Sequence, residues 1–466
     1  MNIGFINPPS EFLTDQRVFM SLGILRIATQ VKEYIQVHDY NKYGTNYKVN
    51  FLDLSNQHNY NNLISNFINN NNLDVICLTS TTPHISIVYK FCKYIKKNFN
   101  IKIILGGPHV TLMYSSQKQG TPYIQNICNK HFKNLYKYVD SIVIGDGEIA
   151  LFDALKFKEN LINAEENKNL FIGENYDKYA IADRKFLDIE SYHYYIDGKK
   201  ATNIISQIGC PYKCSFCSGR DSKSFNHIKK RSIENIMKEI EMLHKTYGFE
   251  GFMFYDDEIN LNKEYFEKFL NTLILYQKEN NVEFALRGFT RANLLTDEQA
   301  KLMYKAGFRW LLIGFESGSN KILENMNKGC TVEDNTKSFN IARNNNLKVK
   351  ALMSVGHPGE SQETIRESIE WIKKVKPDET DITIISVYPG SHYFDKSIKF
   401  NDNTLMFENI KTKSKLYIKN IDFLKDANFY KSKSNEYVSY VYTDFLTSEQ
   451  LVENRLKFEQ EIKNLK

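Results

Sequence analysis

The sequence predicts an α/β protein built around two sheets. Residues 1–160 are predicted to form a doubly wound, Rossmann-like parallel sheet, and residues 201–395 a partial TIM-type barrel of six β-α units, a (βα)6 arrangement. Two observations favour this class: short apolar runs alternate with stretches of helical periodicity in both parts of the chain, and turns rich in small residues follow many of the apolar runs. Residues 161–200 are predicted to be a linker, and residues 396–466 a small C-terminal helical region.

Length and composition indicate a globular protein without special surface chemistry. The chain has 466 residues, of which 42% are hydrophobic and 25% charged, so two or three domains are expected. The net charge of +6 is modest, and the lysines are scattered among Asn and Glu, which favours a solvated surface over a nucleic-acid surface. No apolar run reaches the ~20 residues of a membrane span, and the N-terminus lacks the features of a signal peptide. We therefore expect a cytoplasmic protein with no nucleic-acid partner and no membrane partner.

In the first part of the chain, the turns after the strands carry the functional signal. Strands are predicted at 3–6, 49–54, 75–78, 101–105 and 141–144, with helices at 23–35, 61–68, 85–96 and from about 148. Ligands of such sheets bind beyond the carboxyl ends of the strands. The turns there read NPPS (7–10), TSTTPH (79–84), GGPHVT (106–111) and GDGE (145–148), and their glycines let a ligand approach the backbone. This pattern favours a broad, flat ligand, and the lack of GxGxxG after the first strand disfavours a dinucleotide.

In the second part of the chain, a cysteine loop follows the first predicted strand. Strands are predicted at 201–208, 251–255, 283–286, 310–313, 349–353 and 380–385, with helices at 233–246, 263–279, 297–305, 332–344 and 361–374. Cys210, Cys214 and Cys217 lie within eight residues, so their thiolates can converge on one metal centre. A zinc site normally needs four ligands, often as two pairs, and the sequence has no second pair. Three cysteines instead suit a cubane iron–sulfur cluster with one iron left open.

The remaining cysteines carry no motif. They are dispersed, and we predict that they are small buried hydrophobic residues of a protein in a reducing cytoplasm. These residues are Cys77, Cys92, Cys128 and Cys330.

The C-x3-C-x2-C spacing after a strand, with Phe216 before the last cysteine, resembles the radical S-adenosylmethionine family. The resemblance implies a [4Fe-4S] cluster held by Cys210, Cys214 and Cys217, with S-adenosylmethionine bound to the open iron through its amino and carboxylate groups. One-electron cleavage of the sulfonium then yields a 5′-deoxyadenosyl radical.

The resemblance extends to the other strand exits of the barrel. Asp256 and Asp257 in FYDDE are contacts to the amino group or ribose of S-adenosylmethionine, residues that face the substrate, or charges at a helix N-terminus. Arg291 is a candidate clamp for the methionine carboxylate, with Arg287 as the alternative. In VGHPGES (355–361), Gly356 is a candidate contact to S-adenosylmethionine, and His357 is a weaker one. The implied contacts to S-adenosylmethionine are Phe216, Asp256, Asp257, Arg291, Glu316 and Gly356.

The order of elements in residues 1–160 resembles the cobalamin-binding domain that precedes the catalytic domain in one class of these enzymes. The nearest match to the Asp-x-His-x-x-Gly loop, which ligates cobalt in many cobalamin domains, is 39–44, but Asn41 replaces the histidine and the segment follows a helix. No histidine ligand is therefore implied, and His84 and His109 are predicted to be hydrogen-bonding loop residues. The resemblance implies a corrin lined by Thr79, Ser80, Thr81, Gly106, Gly107, Gly145 and Glu148.

The tail carries a weaker signal. An amphipathic helix is predicted at 447–465, and we interpret the tail mainly as a cap over the open side of the barrel. Its aromatic residues are alternative candidates for a substrate pocket: Tyr417, Tyr430, Tyr437, Tyr440 and Tyr442.

Together these features predict a cobalamin-dependent radical S-adenosylmethionine enzyme that methylates an unactivated carbon of a small-molecule or peptide substrate, with flavodoxin or ferredoxin as electron donor. An enzyme of the same family that catalyses a cyclisation or rearrangement without methylation is an alternative. A non-catalytic corrinoid carrier or sensor is another, although a carrier needs no cluster. A tRNA methylthiotransferase would need a second cysteine motif in the first domain, which the dispersed cysteines there do not form.

Overall fold

The computed structural model of the chain describes residues 1–37, 47–173, 176–426 and 437–463. Within these ranges the two predicted sheets are present, together with a short hairpin and a C-terminal antiparallel sheet. The segment 39–44 and Tyr430, both considered above, lie outside the described residues.

The first sheet is parallel throughout, with strand order β2-β1-β3-β4-β5-β6. Its strands are β1 Asn2–Asn7, β2 Lys48–Asp53, β3 Val75–Thr79, β4 Lys102–Gly106, β5 Ser141–Ile144 and β6 Leu161–Asn163. Its helices are α1 Leu22–Val37, α2 Tyr60–Asn71, α3 Ile85–Asn98, α4 Pro108–Gln119, α5 Pro122–Leu135 and α6 Gly147–Ala154. Because β2 and β3 flank β1 on opposite sides, the strand order reverses beside β1, which is where ligands of doubly wound sheets bind.

Three elements of this sheet were missed in the sequence. Helices α4 and α5 each begin with a proline, whose fixed φ suits the first helical position, whereas the sequence analysis took GGPHVT as a turn. Strand β6 lies beyond residue 160, within the predicted linker. The first sheet therefore extends past residue 160, the boundary that the hydrophobic periodicity of the sequence predicted.

The second sheet has strand order β15-β14-β13-β12-β11-β8-β7, in which β7 is antiparallel to β8 and the others are parallel. Its strands are β7 Tyr195–Ile196, β8 Lys199–Ile204, β11 Gly251–Phe254, β12 Ala285–Thr290, β13 Phe308–Glu316, β14 Lys348–Val355 and β15 Glu379–Ile384. A hairpin of β9 Gln207–Ile208 and β10 Lys229–Lys230 follows β8. The predicted partial barrel is confirmed, because β8 and β11 to β15 form a continuous curved parallel layer.

The helices of the second sheet largely have the predicted bounds, because polar caps mark their starts. Thr331 and Asp334 form a capping box at one of them, and Ser361 and Thr364 form another. These helices are α7 Lys223–Asn226, α8 Ile233–Tyr247, α9 Lys263–Asn280, α10 Asp297–Lys305, α11 Asn320–Asn325, α12 Val332–Asn344 and α13 Gln362–Val375. No helix in the described ranges is both long and apolar enough to span a bilayer.

The C-terminal region contains more strand than predicted. It has α14 His392–Asp395, then an antiparallel sheet of β16 Ile398–Asn401, β17 Thr404–Glu408, β18 Lys415–Lys419 and β19 Val441–Thr443, and then α15 Ser448–Lys463. The predicted helix is present, but describing the region as helical was incomplete. Leu405 and Phe407 on β17, and Leu416 and Ile418 on β18, are buried at alternating positions, which is the strand pattern that the sequence analysis overlooked.

The two sheets are joined by buried polar contacts. The Ser116 hydroxyl donates to Asp395 Oδ1 at 2.5 Å and accepts from the Gly390 amide at 2.6 Å. Lys229, which is fully buried, forms an ion pair with Asp146 at 2.6 Å between Nζ and Oδ1. Because buried charges are tolerated only when paired, these contacts fix the first sheet against the barrel.

A buried histidine pair links α4 and α5. His109 Nε2 lies 3.0 Å from His131 Nε2, and His109 Nδ1 lies 3.1 Å from Thr82 Oγ1. Burial lowers the pKa of His131 to about 4. The unfolded chain therefore binds more protons than the folded chain between about pH 4 and pH 6.5, and stability falls as pH falls through that window.

We expect His131→Gln to weaken the acid sensitivity of the fold. Because the folded state keeps one such histidine neutral, the free energy of unfolding is about 1 kcal/mol lower at pH 5.5 than at pH 7.5. Glutamine does not titrate, so the variant lacks this loss. Urea unfolding at both pH values measures the difference, and His58→Gln, at an exposed position, is the control. An unchanged difference between the two pH values in His131→Gln would contradict the prediction.

Candidate functional site

The cysteine loop is held by its backbone. It lies between β9 and β10, and the Cys210 amide donates to the Phe225 carbonyl at 3.0 Å. The Cys217 amide donates to the Cys214 carbonyl at 3.1 Å. Gly209 has φ +100°, and a Cβ there would lie 2.2 Å from the His227 carbonyl oxygen. The loop is therefore shaped by main-chain contacts rather than by the thiols themselves.

Two buried cations, Arg220 and Lys328, lie near the three thiols. Cys210 and Cys214 are only 8% and 7% exposed, and Cys217 borders a cleft. Burial raises the pKa of the Cys217 thiol to about 12, and the Arg220 guanidinium opposes this rise. Arg220 also donates to the Cys210 carbonyl at 2.7 Å. The Lys328 ammonium is close enough to Cys214 to interact with a thiolate there.

This donor set fits an iron–sulfur cluster. Among the described residues, no group of three or more His, Cys, Asp or Glu side chains is arranged to hold a single metal ion. A cubane cluster spreads its ligands over several irons, so the relevant test is the chemistry of the donors. Three soft thiolate donors beside buried cations are the surroundings that iron–sulfur clusters take.

A cleft of about 2160 Å³ opens beside the loop, inside the curved barrel sheet. Among the predicted contacts to S-adenosylmethionine, Phe216, Asp257 and Glu316 line this cleft together with Cys217. Each comes from a strand exit or from the cysteine loop, as the barrel rule expects. The other three predicted contacts occupy different surroundings.

Asp256 and Asp257 are neighbours with different roles. Asp257 is exposed to the cleft, and its Oδ2 accepts from the Gly209 amide at 2.8 Å. Asp256 is 1% exposed and accepts from the Ser206 amide at 2.7 Å and from the Ser206 hydroxyl. Burial raises the pKa of Asp256 to about 7. Asp256 thus braces the turn after β8 and does not form the wall of the cleft.

Arg291 and Gly356 also lie outside the cleft wall. The Arg291 guanidinium donates to the Asn293 side chain at 3.0 Å and to the Lys328 carbonyl, and it stacks 3.6 Å from the centre of the Tyr212 ring. Gly356 has φ +94°, and a Cβ there would lie 3.1 Å from Val441. The alternative candidate, Arg287, does line the cleft.

Glu316 has an unusual backbone conformation and a buried network behind it. Its φ is +64°, in the left-handed region, at an irregularity in the pairing of β13 with β14. Its carboxylate accepts from Lys328 Nζ at 3.1 Å and from the Ser354 hydroxyl at 2.9 Å. A non-glycine residue held there against its preference is common at functional sites.

The direction of this network is determined by its chemistry. A carboxylate only accepts, so the Ser354 hydroxyl donates to Glu316 and must accept from His357 Nε2, 2.8 Å away. His357 Nδ1 is then able to accept from the Tyr393 hydroxyl at 3.3 Å. Burial lowers the pKa of His357 to about 4, in agreement with a neutral ring.

Sequence reasoning missed Lys328, Ser354 and Glu258. Glu258 Oε2 is buried without a hydrogen-bond partner in the described residues, and burial raises the pKa of this carboxyl to about 7. Glu258 stands in FYDDE, so its strand exit was noticed although the residue was not singled out. Lys328 follows α11 and not a strand, so no strand-exit rule points to it.

A second cavity, of about 940 Å³, lies at the carboxyl edge of the first sheet. Five predicted corrin contacts line it: Thr79, Gly106, Gly107, Gly145 and Glu148. Ser80 and Thr81 do not. The Ser80 amide donates to the Gly106 carbonyl at 3.1 Å, and the Thr81 hydroxyl lies 2.7 Å from His84 Nδ1.

The walls of this cavity suit a flat ligand with a polar rim. A Cβ at Gly107, where φ is +97°, would lie 2.4 Å from Thr79 Oγ1, so the backbone itself forms the wall. Asp146 Oδ2 and Ser224 Oγ are buried there without a hydrogen-bond partner in the described residues. A corrin has amide groups around a flat ring. These amides can donate to the Asp146 carboxylate, and they can donate to or accept from the Ser224 hydroxyl. His84 and His109 are absent from this wall.

The two cavities adjoin. Pro108 and Phe225 line both, and the barrel contributes Ile208 and Ser224 to the wall of the second cavity. The second cavity is therefore not contained in the first sheet alone.

A family model covers the cysteine loop and most of the barrel. Residues 204–372 match the model described as the radical SAM superfamily, so this part of the chain is a radical S-adenosylmethionine domain. The resemblance inferred from the cysteine loop is confirmed.

Two individual proteins are similar to most of the chain at about one quarter sequence identity. An uncharacterized methyltransferase of Pyrococcus horikoshii is 26% identical over 406 residues, which make up 86% of this chain and 84% of that protein. Anaerobic magnesium-protoporphyrin IX monomethyl ester cyclase of Rubrivivax gelatinosus is 25% identical over an alignment of 350 positions that covers 69% of this chain and 58% of the cyclase.

Solved structures share the fold of the whole chain. The radical S-adenosylmethionine methyltransferase TsrM of Kitasatospora setae, solved with cobalamin and a [4Fe-4S] cluster, has a TM-score of 0.69 at 13% identity, covering 100% of this chain and 91% of TsrM. The cobalamin-dependent S-adenosylmethionine radical enzyme OxsB has a TM-score of 0.57 at 15% identity, covering 80% of this chain and 52% of OxsB. The arrangement of a doubly wound sheet before a partial barrel is thus common to these proteins.

Proposed function

We propose that this chain is a cobalamin-dependent radical S-adenosylmethionine enzyme that methylates an unactivated carbon of a small-molecule or peptide substrate. The observation that carries the proposal is the shared wall of the two cavities, formed by Pro108 and Phe225. It puts a glycine-lined cavity for a flat cofactor next to the cleft that the cysteine loop borders. The fold shared with TsrM and the likeness to a methyltransferase support it.

Each group has a place in this proposal. Cys210, Cys214 and Cys217 would hold the cluster, and the glycine-lined cavity would hold cobalamin. When bound, the cluster and S-adenosylmethionine supply a 5′-deoxyadenosyl radical, and cobalamin supplies a methyl carrier. We propose that a flavodoxin or ferredoxin delivers the electron.

The chain's own residues bind and orient. Glu316 presents a carboxylate that suits the amino group of S-adenosylmethionine, with Lys328 and Ser354 fixing its direction. Phe216 and Asp257 border the same part of the cleft. Apolar side chains in the cleft keep water away from a reactive radical.

Isotope labelling tests methyl transfer. The reconstituted enzyme is given S-adenosylmethionine with a deuterated methyl group, a reductant, cobalamin and a cell extract, and products are searched for a mass gain of about three. A labelled product other than S-adenosylmethionine metabolites supports the proposal, and Cys217→Ala is the control that should give none. A turned-over product without label would refute methyl transfer.

A second candidate is a cyclisation or rearrangement without methyl transfer. The likeness to the Rubrivivax gelatinosus cyclase over 69% of this chain favours keeping it. The same experiment separates the two candidates, because this one predicts an unlabelled product that still depends on Cys217.

We expect Gly145→Ala to weaken cobalamin retention at least roughly tenfold while iron content stays unchanged. Gly145 has φ +82°, and a Cβ there would lie 2.9 Å from Ser224 Oγ in the cavity wall. Gly198→Ala is the matched control, since Gly198 also has φ +82° but a Cβ there would meet no described atom within 4 Å. Retained cobalamin absorbance after gel filtration measures the effect, and equal retention in both variants would contradict the assigned cavity.

A further inference from the structure

We infer that the substrate carries a carboxylate, which binds Arg287 and Lys350 at the end of the cleft remote from the cysteine loop. The inference rests on the proposed function, in which the cleft holds the substrate. It is carried by the distribution of charge and apolar surface along the strands that line the cleft.

The cleft is layered along the strands. Its lining residues alternate, with Arg287 and Phe289 on β12 and Lys350, Leu352 and Ser354 on β14. Alternate side chains face the same side of a sheet, so each strand contributes a charged residue near its amino end and an apolar one after it. The cysteine loop follows the carboxyl end of β8, so the charged layer is at the opposite end of the cleft.

Arg287 is a half-buried cation with incomplete pairing. Its side chain is 18% exposed, and its Nη2 lies 3.9 Å from the Glu379 carboxylate. Its Nε is buried without a hydrogen-bond partner in the described residues. The guanidinium lies 5.4 Å from the centre of the Trp310 ring and beside the Tyr194 hydroxyl. A guanidinium has five N–H donors in a planar fork, so this group can donate to both oxygens of a carboxylate.

Lys350 adds a second cation at the same end. Its Nζ lies 3.3 Å from the Glu379 carboxylate that also faces Arg287, so one carboxylate serves two cations. Asp381 lines the cleft nearby and opposes an incoming anion. The inference therefore makes opposite predictions for the two signs of charge: removing the Arg287 cation weakens binding of an anion, and removing the Asp381 anion strengthens it.

The layer next to the cations is apolar. Phe289, Leu312 and Leu352 form it, so the body of the substrate next to its carboxylate is apolar as well. Lys350 and Ser354 are four residues apart on β14, which separates their Cα atoms by roughly 13 Å. The carbon that reacts would then lie on the order of 10 Å from the carboxylate.

Octanoate and octanamide are a matched pair of probes for this site. They share shape and apolar length and differ in charge. Binding is followed by the fluorescence of Trp310, since Trp371, the other tryptophan of the chain, is 6% exposed and packs on Phe315 away from the cleft. The full reconstituted chain is used, and Trp310→Phe identifies the signal.

We expect octanoate to bind at least tenfold more tightly than octanamide, and Arg287→Gln to abolish that preference. Asp381→Asn should increase octanoate affinity severalfold. Lys399→Gln is the control, because Lys399 is an exposed lysine on β16, paired with Asp402. Lys350→Gln is a second test if Arg287→Gln does not fold, and it should weaken octanoate in the same direction.

Three results would overturn the inference: no octanoate binding at millimolar concentration, equal binding of the two probes, or an unchanged preference in folded Arg287→Gln and Lys350→Gln. These outcomes are separate from a failure of the proposed function. Iron content, S-adenosylmethionine cleavage and transfer of the deuterated methyl group are measured without the probes, and probe binding needs no methyl transfer.

Discussion

Cys217→Ala should reduce iron from about four per chain to below one after anaerobic reconstitution, and should lower S-adenosylmethionine cleavage by at least about a thousandfold. A cubane cluster with only two protein ligands loses the arrangement in which a single iron is open. The thiol also borders the cleft, so its loss acts where the cofactor meets the substrate. Iron and sulfide assays, together with the yield of 5′-deoxyadenosine, measure both effects.

The variant should keep its fold, because the loop is held by main-chain contacts. The amides of Cys210, Ser215 and Gly219 donate to carbonyls of other segments, and none of these bonds uses the thiol of Cys217. Cys330→Ala is the control, since Cys330 is a buried cysteine that lies beside Arg291 but is outside the loop. Full iron loading and cleavage in Cys217→Ala, with native circular dichroism, would contradict the cluster assignment.

The regular parts of the fold were predictable because one physical signal dominated in each. Apolar runs bounded by small residues identified the strands, and the capping residues Ser232 and Thr296 marked the starts of the helices predicted at 233–246 and 297–305. The helix from Pro108 was missed because a proline after two glycines is also typical of a turn. In the C-terminal region the many lysines and tyrosines hid a short alternation, in which Leu405 and Phe407 are buried and Met406 between them is only partly buried.

The candidate site was predictable to the level of the strand exits and no further. Sequence shows that FYDDE ends a strand, but only the conformation of the loop after it decides that Asp257 faces the cleft and Asp256 faces Ser206. The same holds for the two arginines of β12 and its exit, of which Arg287 lines the cleft and Arg291 holds the turn at Lys328. A residue brought in from a helix–helix connection leaves no periodic signal at all.

Glu316→Gln should weaken binding of S-adenosylmethionine by roughly 30- to 150-fold, because a charge-assisted hydrogen bond to the amino group contributes about 2–3 kcal/mol. The substitution keeps the shape of the side chain and removes the charge. It also leaves Lys328, which is 6% exposed, without its paired carboxylate, and this adds to the loss. Equilibrium binding to the iron-loaded enzyme measures the affinity apart from turnover.

The residues behind Glu316 should act through its position. Ser354 donates to Glu316 and accepts from His357, so His357→Leu frees the serine hydroxyl to turn away from the carboxylate. We expect KM for S-adenosylmethionine to rise about tenfold while kcat changes less than twofold, since the lost orientation of Glu316 weakens binding equally in the ground state and the transition state. His357→Asn should restore much of the affinity, because its side-chain amide can donate to Ser354.

This split distinguishes positioning from a merely structural role. If His357 only fills space in the core, Leu should be tolerated at least as well as Asn, and KM should follow stability rather than hydrogen bonding. A general loss of folding would lower iron content and kcat together. The hydrogen bonds that run from Tyr393 to Glu316 require a different result. KM should rise in His357→Leu and stay close to the wild-type value in His357→Asn, with iron content constant in both variants.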